Sequence, residues 1–391
     1  MYDLVAYEMM LADVVRADAY LAAIAGTVRD GDVVVEIGTG VGYFAVAAVR
    51  AGARHVYAIE TSPVVALGPS VAAANNCADR ITFIPGDSRE VTLPGRADVL
   101  LADLRATLPL FGQNIPSIID ARDRFLRPGA RLVTRRDVLW AVPIELGTAH
   151  SQHHLALGPA AHGILRDPVD RAARSCLARI RFGPDEMLSV PAIWGTVDFE
   201  TVTSPDIVGS AEWTVKRDGR IDGVGVWFDA ELGAGAGFSN APGTPPTSYG
   251  RGLFPLRQPA HVEAGDRVRV AIRAKLVDTD YIFAWDTTIV PASAARTPVA
   301  LRQSTLDALT LRPGQLSRRR ADHRPALRGR ARALAELVDL ADGSRTFEEI
   351  ARLLHERYSA MFPTERDALR FATERGAVLE DEDEVSGRAS L

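Results

Sequence analysis

The stretch that decides the fold is "DVVVEIGTGVGYFAVAAVRAGARHVYAIE", Asp32–Glu60. Its β-branched run, Val33–Ile37, is too continuous for a half-solvated strand and reads as one covered on both faces. The run ends on three glycines, Gly38, Gly40 and Gly42; "GYFAVAAVRAG" then has helical composition and "HVYAI" is a second buried strand. Outward from this unit, "ITFI" (81–84), "DVLLAD" (98–103) and "ARLVT" (130–134) read as further strands. The segment "IPSIIDARDRFLRPG" reads as a helix with a stop at Pro128 and Gly129. Strands and helices alternating at this spacing predict a parallel sheet with helices on both faces, spanning residues 1–147.

The glycine turn restricts the ligand. A dinucleotide fingerprint needs G-x-G-x-x-G, whereas the spacing here is G-x-G-x-G. No Lys-Ser/Thr pair follows, which excludes a P-loop. Glu36 stands just before the glycines, so the turn suits a ligand with positive charge and no pyrophosphate. S-adenosyl-L-methionine (SAM), a sulfonium with an amino-acid tail, fits and would leave as S-adenosyl-L-homocysteine. Glu60, closing the next strand, is placed to accept from ribose hydroxyls, as acids about 20 residues on do in doubly wound folds. In "IPGDSREV", Asp87 and Ser88 fall where adenine is contacted in such folds.

Bulk properties set the remaining bounds. A formal net charge of -5 provides no basic field for nucleic acid. Cys77 and Cys176 are too few for a disulfide framework, which fits a reducing cytoplasm. The N-terminus carries Asp3, Glu8 and Asp13 instead of a basic region, and reads as a helix, not a secretory signal. No apolar run is long enough to cross a membrane. His150, His153, His154 and His162 share one loop without matching acids or cysteines, so no metal site is expected.

Past "WAVPIE" (140–145) the pattern becomes strand-rich, and residues 148–295 read as an antiparallel β-barrel domain in which Asp218-Gly219 marks a hairpin. Residues 296–330 read as a Pro- and Arg-rich connector, and 331–380 as three amphipathic helices with a last short strand. Within the latter, Thr346 and Glu349 form a capping box. Residues 381–391 are an acidic tail.

"MLADVVRADAY", the Asp32–Glu60 stretch and "ARDRFLRPGARLVTRRDVLWAVPIE" resemble the corresponding blocks of the protein arginine methyltransferases, and "VDFETV", "GVGVWFDAEL" and "LFPLRQPAHVEAGDRVRV" resemble that family's β-barrel. The resemblance implies a class I SAM methyltransferase fold followed by a barrel, with the acceptor between them. It implies that Arg16 meets the SAM carboxylate, that Glu36 and the glycines meet the methionine portion, and that Glu60 meets the ribose. It leaves room for a homodimer.

The acceptor parts of that family's pattern differ here. Of its two loop glutamates, the first position carries Asp103 in "ADLRATLPLFGQN" and the second falls at Gly112. Its Thr-His-Trp segment is replaced by Thr247, Ser248 and Tyr249. A start at Met1 is expected to leave out the family's tyrosine-bearing N-terminal helix, which covers SAM. One carboxylate fewer beside a buried cation costs on the order of 2–5 kcal/mol. An amine acceptor is therefore expected, with Asp103 orienting it and Tyr249 on the pocket wall; a guanidine in a rebuilt pocket and a silent SAM-binding scaffold are the alternatives. The segment "DGSRTFEEIA" (342–351) with "ERGAVLE" (374–380) is similar to the leader-peptide-binding domains of peptide-modifying pathways. Together these resemblances imply a precursor peptide or small amine as partner, for example dimethylation of a terminal amine in a ribosomally made peptide of the daptide type. A winged helix without a peptide role is the other reading of the C-terminal helices.

Overall fold

The computed structural model describes residues 4–147, 169, 172–308 and 322–376. It divides into two compact units, Met1–Leu309 and Thr310–Leu391.

The first unit opens with α1 (Leu4–Leu11) and α2 (Val14–Thr27). The Asp13 carboxylate starts α2 by accepting from the Arg16 N–H at 3.1 Å, satisfying one of the donors a helix leaves open. Five parallel strands follow: β1 (Val33–Ile37), β2 (His55–Glu60), β3 (Ile81–Pro85), β4 (Ala97–Ala102) and β5 (Leu126–Leu132). They lie in the order β3-β2-β1-β4-β5 and carry α3 (Tyr43–Arg50), α4 (Gly68–Ala74) and α5 (Asn114–Arg124) in their crossovers. Every residue of β1 and of β4 is buried, including the acids Glu36 and Asp98 among their apolar neighbours. The chain reverses its winding direction between β1 and β4. Ligands in such sheets bind at the carboxyl ends beside that switch point.

Pro128 and Gly129 do not stop a helix, contrary to the sequence reading. α5 ends at Arg124, and the pair lies inside β5 where the register against β4 jumps between Ala97 and Val99. Gly129 takes φ +77° there, and the extra residues form an excursion in a strand whose ends still pair.

The antiparallel region begins at β6 (Thr134–Ile144), ahead of the expected boundary at 147, because β6 pairs along its length with β10 (Gly219–Leu232). One sheet runs β7 (Ala178–Ile180), β12 (Arg251–Val262), β10, β6, β8 (Ala192–Asp198), with β11 (Gly237–Ser239) beside β10. The other runs β15 (Val299–Ser304), β14 (Asp280–Val290), β13 (Arg267–Val277), β9 (Ile207–Thr214). Alternating inward residues such as Val268, Val270 and Ile272 on β13 are buried in the same core as Phe254 and Trp285. Asp218-Gly219 is not a hairpin turn: β9 and β10 belong to different sheets. Asp218 instead accepts from the Ala264 N–H at 2.8 Å, tying down the β12–β13 connection. The connector expected over 296–330 contributes β15 to the second sheet.

The second unit holds α6 (Arg330–Leu340), α7 (Phe347–Arg357) and α8 (Glu365–Gly376) around Leu337, Ile350, Leu354, Phe362 and Phe371. The capping box forms: Glu349 N–H donates to the Thr346 hydroxyl at 3.3 Å, and Thr346 N–H donates to the Glu349 carboxylate at 2.8 Å. The expected last strand and the acidic tail lie outside the described residues, as do the four loop histidines.

Candidate active site

A cavity of about 650 Å³ opens at the carboxyl ends of β1, β2 and β4, the size of a small-molecule cofactor site. Its floor is the glycine turn. Gly38 and Gly40 adopt φ +76° and +57°, so side chains there would be strained, and a Cβ on Gly40 would stand 2.9 Å from the Tyr7 ring. The Glu60 carboxylate shapes this floor: one oxygen accepts from Gly40 N–H at 2.9 Å and the other from Ser62 N–H at 2.8 Å. Oε1 also takes the Thr61 hydroxyl at 3.4 Å, and Oε2 keeps a second lone pair for a ligand hydroxyl.

Glu36 lies beneath the turn and does not line the cavity. It is 2% exposed and takes a 2.6 Å hydrogen bond from the Thr39 hydroxyl. Burial pushes its carboxyl up to about 8, against the pull of the Thr39 hydroxyl and with a further push from Glu60. Gly42, at φ +85°, also stands outside the lining; a Cβ there would be 2.7 Å from the Phe83 ring. At the far edge, Asp87 and Ser88 line the cavity with Gln113 and Asn114 of the loop and helix after β4. Arg89 ties these edges together by donating to the Asp87 carboxylate and, at 2.7 Å, to the Gln113 side-chain oxygen. That bond holds Asp87 below the usual carboxylate range.

The other end of the cavity is a charge cluster. Asp103, 5% exposed at its side chain, accepts from the Tyr249 hydroxyl at 2.7 Å, from Arg16 Nε at 2.5 Å and from Arg105 at 3.3 Å. Burial alone would raise the Asp103 carboxyl; Arg16 and Arg105 overcome it and hold it below its ordinary value. Burial likewise opposes charge on Arg16, but Asp103 keeps its guanidinium firmly protonated. Burial and the Asp103 charge push the Tyr249 hydroxyl well up, so it stays a donor. Arg16 also lies over the Phe44 ring at 5.1 Å.

The structure thus brings Arg16, Gly38, Gly40, Glu60, Asp87, Ser88 and Asp103 to one cavity, puts Tyr249 against Asp103, and keeps Glu36 and Gly42 behind the turn. Three participants were missed. Tyr7 on α1 lines the cavity over Gly40. Its signal was an apolar helix directly ahead of the Arg16 helix. Arg105 and Asp137 form a buried pair through two 2.7 Å bonds. The signal there was weak, because "LLADLRA" and "TRRDVLW" each hold further charged residues beside Arg105 and Asp137. No cluster of metal-ligating side chains occurs among the described residues.

Residues 15–117 match the TRM5/TYW2 methyltransferase domain. The first domain is a methyltransferase domain. A probable histone-arginine methyltransferase CARM1 of Oryza sativa subsp. indica is 30% identical over 285 residues, covering 66% of this chain and 52% of its own length. The chain therefore spans about half the length of the curated relatives it first matches. Among solved structures, Arabidopsis thaliana protein arginine methyltransferase 10 superposes with a TM-score of 0.67 at 23% identity, over 77% of this chain and 97% of that one. The Trypanosoma brucei PRMT1 enzyme-prozyme complex with AdoHcy superposes with a TM-score of 0.69 at 19% identity, over 76% and 97%. Together they establish the class I methyltransferase fold with the antiparallel region that accompanies it in arginine methyltransferases. Among the described residues, no helix is long and apolar enough to cross a membrane.

Proposed function

We propose that the protein is a SAM-dependent N-methyltransferase acting on a nitrogen of a peptide or protein. One observation carries this reading: a single cavity joins a glycine turn braced by Glu60 to a buried Arg16–Asp103–Tyr249 cluster drawn from both sheet systems. The residues fit the cofactor. Glu60 would take the ribose, Asp87 and Ser88 the adenine, and Arg16, with donors left beyond its Asp103 and Met10 bonds, the carboxylate of the methionine portion. When bound, SAM supplies a methyl carbon on a cationic sulfur. Transfer is an in-line displacement by a nitrogen lone pair, so positioning carries most of the rate. Asp103 fixes the edge that the nitrogen approaches, Tyr249 holds Asp103 from outside the cavity lining and not from the pocket wall as expected, and the proton that the nitrogen sheds leaves to solvent.

Arginine is the acceptor that the similarity to arginine methyltransferases supports. A second reading, a peptide amine, is favoured by one structural fact. The acids among the described lining residues are Glu60, Asp87 and Asp103, and the one beside the acceptor end, Asp103, is already engaged by two arginines. A precursor peptide and a docking role for the three-helix unit follow as part of that second reading. The test supplies methyl-labelled SAM with matched peptides, one carrying arginine as its only reactive nitrogen and one a free α-amine, and locates the label by fragment mass spectrometry. Label on nitrogen in either peptide supports the function and names the acceptor; a protein that binds SAM and labels neither overturns it.

A further inference from the structure

Arg105 stands two residues after Asp103 on the loop that follows β4, and its side chain is 1% exposed. It grips Asp137 of β6 through Nε and Nη2, each at 2.7 Å. Its Nη1 donates to the Tyr20 hydroxyl at 2.5 Å and reaches Asp103 at 3.3 Å. The rings of Phe199, Phe228 and Phe238 lie 5.7, 5.8 and 5.9 Å from the guanidinium carbon. The chain thus holds one of its own guanidinia between two carboxylates, boxed by aromatic faces, in the core behind the Asp103 end of the cavity. Asp103, the acid at this end of the cavity lining, therefore meets a guanidinium of the chain itself.

The charges around Asp103 consequently balance. Arg16 and Arg105 are cationic and Asp103 anionic; burial raises the Asp137 carboxyl, against which Arg105 holds its charge through the two 2.7 Å bonds, and Tyr20 and Tyr249 are neutral donors. An incoming guanidinium would add a second positive charge beside the sulfonium with no counter-charge to meet it. It cannot shed its proton, because its pKa is above about 12. An α-amine, with an ordinary pKa of roughly 7.7–8.0, arrives partly neutral at physiological pH.

We propose that Arg105, held by Asp137, is the specificity-determining residue of the acceptor site: it neutralises Asp103, so the cavity disfavours permanently charged guanidinia and selects a nitrogen able to lose its proton. This rests on the N-methyltransferase reading above and chooses between its acceptors.

The experiment measures kcat/KM for the arginine peptide and the α-amine peptide in three proteins, with SAM binding by calorimetry as the check on folding. The wild-type chain should favour the α-amine by at least ~10-fold. Arg105→Met with Asp137→Ala removes both members of the buried pair, which avoids stranding one charge, and should shift the ratio towards arginine by on the order of 30-fold, the lower end for a buried charge partner. Arg105→Lys keeps the charge and should retain the wild-type preference. Should the first double variant not fold, Arg105→Gln with Asp137→Asn serves in its place. A wild-type preference for arginine, or a ratio unmoved in a double variant that still binds SAM, overturns the role of Arg105 while leaving N-methyl transfer standing. Labelling of neither peptide by SAM-bound wild-type protein overturns the functional reading itself.

Discussion

Glu36 allows a quantitative test of how the glycine turn is built. Its carboxyl is buried beneath Thr39 and pushed up to about 8, above its value in an unfolded chain of about 4.3. The folded state therefore holds a proton that the unfolded state has released across the window from about pH 4.5 to 8. Stability from this group is full below the lower value and falls as pH rises through the upper one. Between pH 6 and pH 8.5 the loss is about 2.5 kcal/mol, with a unit of pKa worth about 1.4 kcal/mol. Glu36→Gln removes the titration and keeps an oxygen to accept from the Thr39 hydroxyl. Thermal unfolding of wild type and variant, without ligand, should show melting curves that diverge with pH. At 2–4 °C per kcal/mol the variant should gain roughly 5–10 °C on the wild type between pH 6 and 8.5. Every other group is common to both proteins and cancels in the difference. Parallel pH profiles would mean that Glu36 is already ionised in the fold, and the account of the buried acid under the turn would be refuted.

Asp103→Asn should leave Arg16 and Arg105 without the carboxylate they share, at a cost of about 2–5 kcal/mol; turnover should fall by at least 100-fold while SAM affinity, read by calorimetry, drops far less. Gly40→Ala forces a side chain at φ +57° into the Tyr7 ring 2.9 Å away; it should weaken SAM binding by 10-fold or more and lower the melting temperature by a few degrees, as a strained backbone position worth about 1–3 kcal/mol implies. Thr346→Ala breaks the capping box of α7 and should cost about 1 kcal/mol locally, visible in the full chain as roughly five-fold faster amide exchange over Phe347–Arg357 with the Met1–Leu309 unit unchanged.

What the sequence shows plainly is what its local periodicity encodes. Val33–Ile37 and Ala97–Ala102 are mostly apolar, each with one buried acid (Glu36 and Asp98), because both faces of those strands are covered, and Thr346 with Glu349 is a signal contained within four residues. The misreadings arise where a local signal has two structural outlets. Pro128-Gly129 can end a helix or bend a strand, and the pairing of Leu126 with Ala97 decides for the strand. Asp218-Gly219 can turn a hairpin or join two sheets, and only the partners of β9 and β10 separate the cases.

The site divides in the same way, and its chemistry falls on the less legible side. Gly38, Gly40 and Glu60 announce themselves because backbone conformation and strand order fix where they must lie. The electrostatics of the acceptor end depend on who pairs with Asp103. Its partners sit 87 residues upstream at Arg16 and 146 downstream at Tyr249, while Arg105 is anchored 32 residues on at Asp137. In the sequence Asp103 looks like one free carboxylate waiting for a cation; in the fold it is a charge already spent. Motif reading counts residues, whereas acceptor choice depends on net charge in a desolvated space. Residues that neutralise one another there can be separated by any distance along the chain.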